Sequence, residues 1–250
     1  MTVLKTTRSH EATKQAQPLS AKEWGFRLGA GAALVGSLLA MVGNLLHPAT
    51  PVGHPIGVAE AIARSADWVP IHLLIVAGLL LMFAGLVALC RSVQEGLAGA
   101  LARYAHVAVV GGITVGLLLV MIDGVAAKHL ADVWAAAPPE ERLVALRLVL
   151  AEESINFAIA SLFNILFAGV SYILLGLAVA FSRVYPRWLG WLAVAMGLGC
   201  IVAGLMQALN GESTHLIKML TIIFPTVITL WTAGMGVLLW RKSAVLGGAR

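Results

Sequence analysis

Charge is what this sequence has least of. Only 12% of its 250 residues are Asp, Glu, Lys or Arg, while 60% are hydrophobic, and a soluble globular domain carries roughly twice that charged share. That balance excludes a water-soluble fold. Cysteine is also nearly missing. Cys90 and Cys200 lie far apart, each in or at the end of an apolar run, so there is neither a disulfide framework nor a cysteine-based metal motif. There is no Gly-rich phosphate loop, no HExxH, no GxSxG nucleophile elbow and no aspartate-rich prenyl-diphosphate motif.

Long uncharged apolar runs are present instead. They lie near 28–46, 71–90, 105–122, 157–181, 188–209 and 219–240, and about 20 residues at 1.5 Å each cross a hydrocarbon core of about 30 Å. Period-2 alternation is lacking, which excludes a membrane β-barrel. The expected fold is an all-α membrane protein, a bundle of six transmembrane helices whose main partner is the lipid bilayer. Residues 1–24, with Lys5, Arg8, Lys14 and Lys22, read as a polar tail, 25–242 as the membrane domain and 243–250 as a second tail. A cleaved signal peptide fits poorly, because the first apolar run is of spanning length and no small-residue cleavage pattern ends it.

Six crossings put both termini on one side. That side holds twelve basic residues against three acidic ones, and the opposite side five against nine. The excess of Lys and Arg marks the cytoplasmic side, so N- and C-termini are expected in the cytoplasm of a multi-pass inner-membrane protein. The net charge of +5 is then a topology signal, and no nucleic-acid partner is implied. The pattern resembles small polytopic proteins of bacterial inner membranes, a resemblance of type that carries no site residue with it.

The same topology distributes the seven histidines unevenly. His47, His54, His72, His129 and His215 fall at or beyond the outer helix ends, and His10 and His106 fall inside. One outer loop, NLLHPATPVGHP from Asn44 to Pro55, contains two His-Pro pairs, in which proline biases the preceding residue away from helix. The first pair closes a helix, with Asn44 three residues before His47 on the same face. The second lies in the loop, where His54 needs no role beyond a turn. His72 opens the next helix at the same membrane level. Asp123 follows a long apolar run and is expensive there unless partnered, with Lys128 or His129 as the ordinary candidates. Glu152 and Asn156, four apart, share a helix face, and Glu153 lies beside them.

These residues outline an outward-facing site. His47, His72 and His129 are candidate metal ligands, Asp123 and Glu152 candidate catalytic carboxylates, and Asn44, Glu153 and Asn156 supporting polar groups. Such a set could hold a transition metal that activates water or dioxygen, and two of the histidines alone could hold haem as axial ligands. The function expected on this reading is a metal-dependent hydrolase or oxidoreductase acting on a lipid-soluble small molecule. Two other classes compete with it. One is a binding, sensory or assembly component without chemistry, and the other is a small transporter using Asp123, Asn164 and the Pro225 kink.

Two further features bear on architecture. The stretch 139–153 has prolines, early acids and helical Leu/Val spacing, so it is expected as an outer interfacial helix or an extension of the fourth span. Small residues form stripes on the first run (Gly25, Gly29, Ala32, Gly36, Ala40, Gly43) and the fifth (Gly190, Ala193, Gly197, Gly204). Such stripes let backbones approach closely in lipid, within one chain or in a homo-oligomer. Pro225 removes an amide donor within the sixth run, where Thr221 is placed to satisfy the freed group.

Overall fold

A computed structural model of the chain describes residues 19–211 and 214–248. All regular structure among the described residues is helical. Six helices are long and apolar enough to cross a membrane: α1 (Ala21–Leu46), α3 (Trp68–Ser92), α4 (Gly96–Ala136), α5 (Arg142–Phe181), α6 (Arg187–Asn210) and α7 (His215–Gly248). A short α2 (Pro55–Arg64) lies in the connection between the first two spans. Large apolar side chains face outward along them, including Leu28 at 67% and Val107 at 70% exposure. That surface suits hydrocarbon and not water. The protein is a multi-pass membrane protein.

The first span starts before position 25. Ser20 and Glu23 form a reciprocal capping box, the Glu23 amide donating to Ser20 Oγ at 3.3 Å and the Ser20 amide to Glu23 Oε2 at 2.6 Å. Two orphan amides are thereby satisfied and the helix opens at Ala21. Residues 1–18 of the expected tail lie outside the described residues. At the other end α7 continues to Gly248, across the expected boundary at 243. The stretch 139–153 is an extension of the fourth span: α5 runs unbroken from Arg142. Pro225 lies inside α7, and Thr221 does not serve it, donating instead to the carbonyls of Ile217 and Lys218 at 3.0 Å.

The spans stand in a ring in which α1 meets α3, α3 meets α4, α4 meets α5, α5 meets α6, α6 meets α7, and α7 closes on α1. Glycines set the register of three of these pairs. Between α1 and α3, Gly29 packs on Ala88, Ala33 on Gly85, Ala40 on Gly78 and Gly43 on Ile75. Ala33 takes the place in this stripe that the spacing gives Ala32, and Gly25 faces open space. Between α4 and α5, Gly112 packs on Phe167 and Gly116 on Phe163. Between α5 and α6, Gly176 packs on Gly190, Gly169 on Ile201 and Gly204 on Ser161.

One end of the ring, carrying Ala21, Ser92, Gly96, Phe181 and Arg187, is the basic face. The other, carrying Leu46, Trp68 and His215, is the histidine face. Toward the basic face the interior is plugged by buried Leu86, Tyr172, Leu175, Met235 and Leu239. Within this plug the Tyr172 and Thr232 hydroxyls are hydrogen-bonded at 2.8 Å. On the histidine face, α2 and the projecting ends of α4 and α5 form a cap through Ala59, Trp134, Ala145 and Val149, continued by Ile62, Trp68, Ala127 and Ala131.

The α1–α3 register can be tested directly. A Cβ on Gly36 would meet the Met82 backbone and lie 2.7 Å from the Gly78 carbonyl oxygen, whereas one on Gly31 meets nothing within 4 Å. Gly36→Leu is expected to destabilise the bundle by about 3 kcal/mol, the upper range for overpacking, and Gly31→Ala to be neutral or stabilising. Thermal unfolding of the purified full chain in detergent measures both.

Candidate metal centre

The site begins where α1 stops. Pro48 follows His47, and His47 leaves the helix as its C-cap in extended conformation (φ −62°, ψ 125°), as a residue before proline does. Continuing the Gly43–Ile75 register by one turn brings His47 to the level of His72. The two imidazoles meet edge to face, with ring centroids 5.0 Å apart. Asp123 reaches the same point from α4. Its Oδ2 is 3.2 Å from His72 Nε2 and 4.0 Å from His47 Nε2.

Hydrogen bonding fixes which nitrogen of each ring is free. His72 Nδ1 is 2.7 Å from the Trp68 carbonyl and His47 Nδ1 is 2.9 Å from the Pro48 carbonyl. A carbonyl only accepts, so both Nδ1 atoms carry the proton and donate. In the neutral rings both Nε2 atoms then present lone pairs, and these converge on a carboxylate oxygen that is itself an acceptor. Three acceptors facing one another are reconciled either by a proton on one Nε2 or by a cation between them. Backbone carbonyls on the far ring nitrogens are also the usual way metal-binding histidines are oriented. Burial holds the His47 imidazole below the usual histidine range, against the opposing pull of the Asp123 carboxylate.

One ligand atom from each of His47, His72 and Asp123 lies within 4.8 Å of the others, and this is the one such group of three among the described residues. Bonds of about 2.0–2.2 Å in a tetrahedral site place ligand atoms about 3.3 Å apart. The His72–Asp123 pair already has that spacing. For an ion to be held, His47, at the helix end and 4.0 Å from Asp123 Oδ2, would be the member to move inward.

The surroundings explain why Asp123 is placed this way. It lies in a π-helical turn, Ile122–Ala126, a local widening often found at functional sites. The Trp68 indole donates to the Asp123 carbonyl at 2.8 Å, so one turn of α3 positions both His72 and the Asp123 backbone. Gly124 is buried against the His72 ring, and a Cβ there would collide with His72 Cβ and lie 2.7 Å from its Cγ. Lys218 of α7 donates to the Thr50 carbonyl at 2.8 Å, tying the loop beyond His47 to the sixth span.

A second group lies beside the triad. The Gly112–Phe167 and Gly116–Phe163 register, continued along α4, puts Asp123 level with Asn156, with Glu152 one turn farther out. Glu152 and Glu153 are both within electrostatic reach of Asp123. Glu152 is buried, and its Oε1, Asn156 Oδ1 and Gln207 Oε1 are buried acceptors with no protein hydrogen-bond partner. Gln207 reaches this level from α6, one turn outward from the Gly204–Ser161 contact.

Two expected members stand elsewhere. His129 is exposed and is not in the triad, because α4 continues as helix past Asp123 and turns residue 129 away. Asn44 is exposed, and its side chain donates back to the Ala40 carbonyl at 2.7 Å. The three-residue spacing to His47 fails because His47 has already left the helix. Lys128, the ordinary partner considered for Asp123, is bound to Asp132 and the Ala63 carbonyl. His54 and His215 are exposed. Sequence reasoning missed Trp68 and Lys218. Trp68 was signalled by its spacing of four from His72, whereas nothing local marks Lys218.

No protein-family model matches the chain, and neither a curated protein nor a solved structure is significantly similar to it.

Titration of the purified full chain with zinc or iron(II) is expected to give one site that His47→Ala, His72→Ala and Asp123→Ala each weaken at least tenfold. Gly124→Ala, which forces the His72 ring to shift, is expected to weaken it as well, and His129→Ala to leave it unchanged. Uptake should fall on acidification, since a proton on either imidazole removes a ligand lone pair. The lowered pKa of His47 keeps its lone pair available further into acid than an ordinary histidine's. Calorimetry across pH 5–8 reads all of these.

Proposed function

We propose that the protein is a metal-dependent membrane enzyme that hydrolyses a lipid-soluble substrate at the histidine face. The observation that carries this reading is the convergence of His47 Nε2, His72 Nε2 and Asp123 Oδ2, three lone-pair donors from three different spans. Two histidines and one carboxylate with room for further ligands is a donor set shared by hydrolytic zinc and non-haem iron sites. A metal held there would polarise a substrate carbonyl and lower the pKa of water. Histidine rings in edge contact at 5.0 Å leave no width for a macrocycle between them, which favours a single ion over haem.

Glu152 supplies the protein's own chemistry. Its carboxylate is buried near Asp123 with one oxygen unpartnered, a position from which it accepts a proton from water and returns it to a leaving group. Asn156 and Gln207 offer unpartnered acceptors to substrate hydroxyl or amine hydrogens. Exposed Leu45 and Leu46 precede His47, so an apolar substrate meets the site from the membrane side. The plug around Tyr172 and Leu86 favours a dead-end site over a conduit. By the distribution of basic residues the histidine face lies outside the inner membrane and the termini lie in the cytoplasm.

The test combines elemental analysis and an absorption spectrum of the purified chain with incubation of the metal-loaded protein in total lipid extract. The expected results are one transition metal per chain without a haem band, and consumption of a lipid species that His72→Ala abolishes. Glu152→Gln is expected to retain the metal while losing at least a hundredfold in rate, the scale of a general base. Stoichiometric metal with no lipid turnover in any extract would instead identify a binding or sensory component.

A further inference from the structure

The basic face contains a site of different chemistry. Where α3 ends and α4 begins, a cleft of about 360 Å³ is lined by Arg91, Gln94, Arg103 and His106, with Val93 and Ala102 in its wall. Gly99, Ala102, Arg103 and His106 recur at the spacing of one helix face, so the first turns of α4 form one side. The connection between the helices forms the other. It folds back so closely that a Cβ on Gly99 would collide with the Gln94 backbone, and the Gln94 side chain donates to the Arg91 carbonyl at 3.1 Å.

The charge in this cleft is uncompensated. Neither Arg91 nor Arg103 forms an ion pair among the described residues. The adjacent acid, Glu95, is the exposed N-cap residue of α4 and makes no side-chain cap bond. Two guanidiniums in one concavity, with the positive end of a long helix beside them, match an anion with several acceptor oxygens, which the planar arginine fork binds in pairs. The neighbouring strip of α4 points to the anion's source. Val107 and Val110, four and seven residues after Arg103 on the same strip of the helix, are exposed at 70% and 43%, an apolar surface that continues from the cleft into the hydrocarbon. Basic pockets between helix ends at a membrane surface are where anionic lipid headgroups bind.

We propose that this cleft binds the phosphate diester of an anionic phospholipid, with Arg91 and Arg103 on the phosphate, His106 at its edge, and the acyl chains along Val107 and Val110. The binding is independent of the metal centre at the opposite face.

The test is thermal unfolding of the full chain in neutral detergent, followed by tryptophan fluorescence and titrated with short-chain phosphatidylglycerol, phosphatidylcholine of the same chains, or inorganic phosphate. Phosphatidylglycerol is expected to raise the midpoint in a saturable manner, and phosphatidylcholine to leave it unchanged. Inorganic phosphate should act only at concentrations at least a hundredfold higher. The double variant R91Q/R103Q should raise the half-saturating phosphatidylglycerol concentration at least tenfold, and Arg183→Gln, an exposed arginine on the same face outside the cleft, should not. If the double variant does not fold, Arg103→Gln and His106→Gln singly must each weaken the response. Equal responses in the cleft variants and Arg183→Gln would overturn the proposal in favour of general surface charge. An equal effect of inorganic phosphate would overturn the lipid as ligand.

Discussion

Backbone approach at glycine is the constraint on which the rest of this molecule depends. Lipid tails are as apolar as leucine, so helices in a bilayer gain little by burying apolar area and associate through close packing. Here that packing also fixes longitudinal register. Gly29, Gly36 and Gly43 lock α1 against α3 at intervals of two turns, and a slip of one residue would drive Cα–Cβ bonds into the opposing backbone. The same locking between α4 and α5 and between α5 and α6 sets the heights of Asp123, Asn156 and Gln207. Glycine contacts align the polar residues of α1 with α3 and those of α4, α5 and α6 with one another, and the Trp68–Asp123 hydrogen bond joins the two sets.

Within that frame the triad is an electrostatic problem with one economical answer. Each imidazole has its Nδ1 committed to a backbone carbonyl, so neither ring can turn its proton toward Asp123 without breaking that hydrogen bond, which at His72 is buried. Protonating a ring would supply the missing donor but would put a charge where burial already opposes it at His47. A divalent ion held there would satisfy all three acceptors at once. The orphan acceptors of Glu152, Asn156 and Gln207 extend the same excess of lone pairs over donors beside the triad.

Much of this was legible in the sequence, and the parts that were not have a common cause. The six spans follow from hydropathy alone. His47, His72 and Asp123 are each conspicuous as polar residues at the edges of apolar runs, and topology puts them at one level. Which neighbours join them depends on helix phase at the ends, and hydropathy is silent about phase. His129 stands outside the triad because α4 projects well beyond its apolar part before ending at Ala136. Asn44 turns back to the Ala40 carbonyl because the helix ends between it and His47. The π-helical turn that places Asp123 has no sequence signature of its own. Its necessity is visible only in Gly124, whose lack of a side chain is explained by the His72 ring.

The division of labour between helices follows from this geometry. The three members of the triad come from α1, α3 and α4, which are consecutive neighbours in the ring, while the unpartnered acceptors come from α5 and α6. A metal at the triad would therefore tie together one half of the ring and leave the other half free to meet substrate. Because such an ion binds only when three spans are in register, its binding free energy adds to folding, by about 2.7 kcal/mol at a hundredfold excess over the dissociation constant. The cap of α2 and the projecting helix ends packs on Trp68, the residue that orients both His72 and Asp123. The cap therefore meets the triad by two routes, the Trp68 indole and the α4 helix that carries both Asp123 and the cap residues Ala127, Ala131 and Trp134.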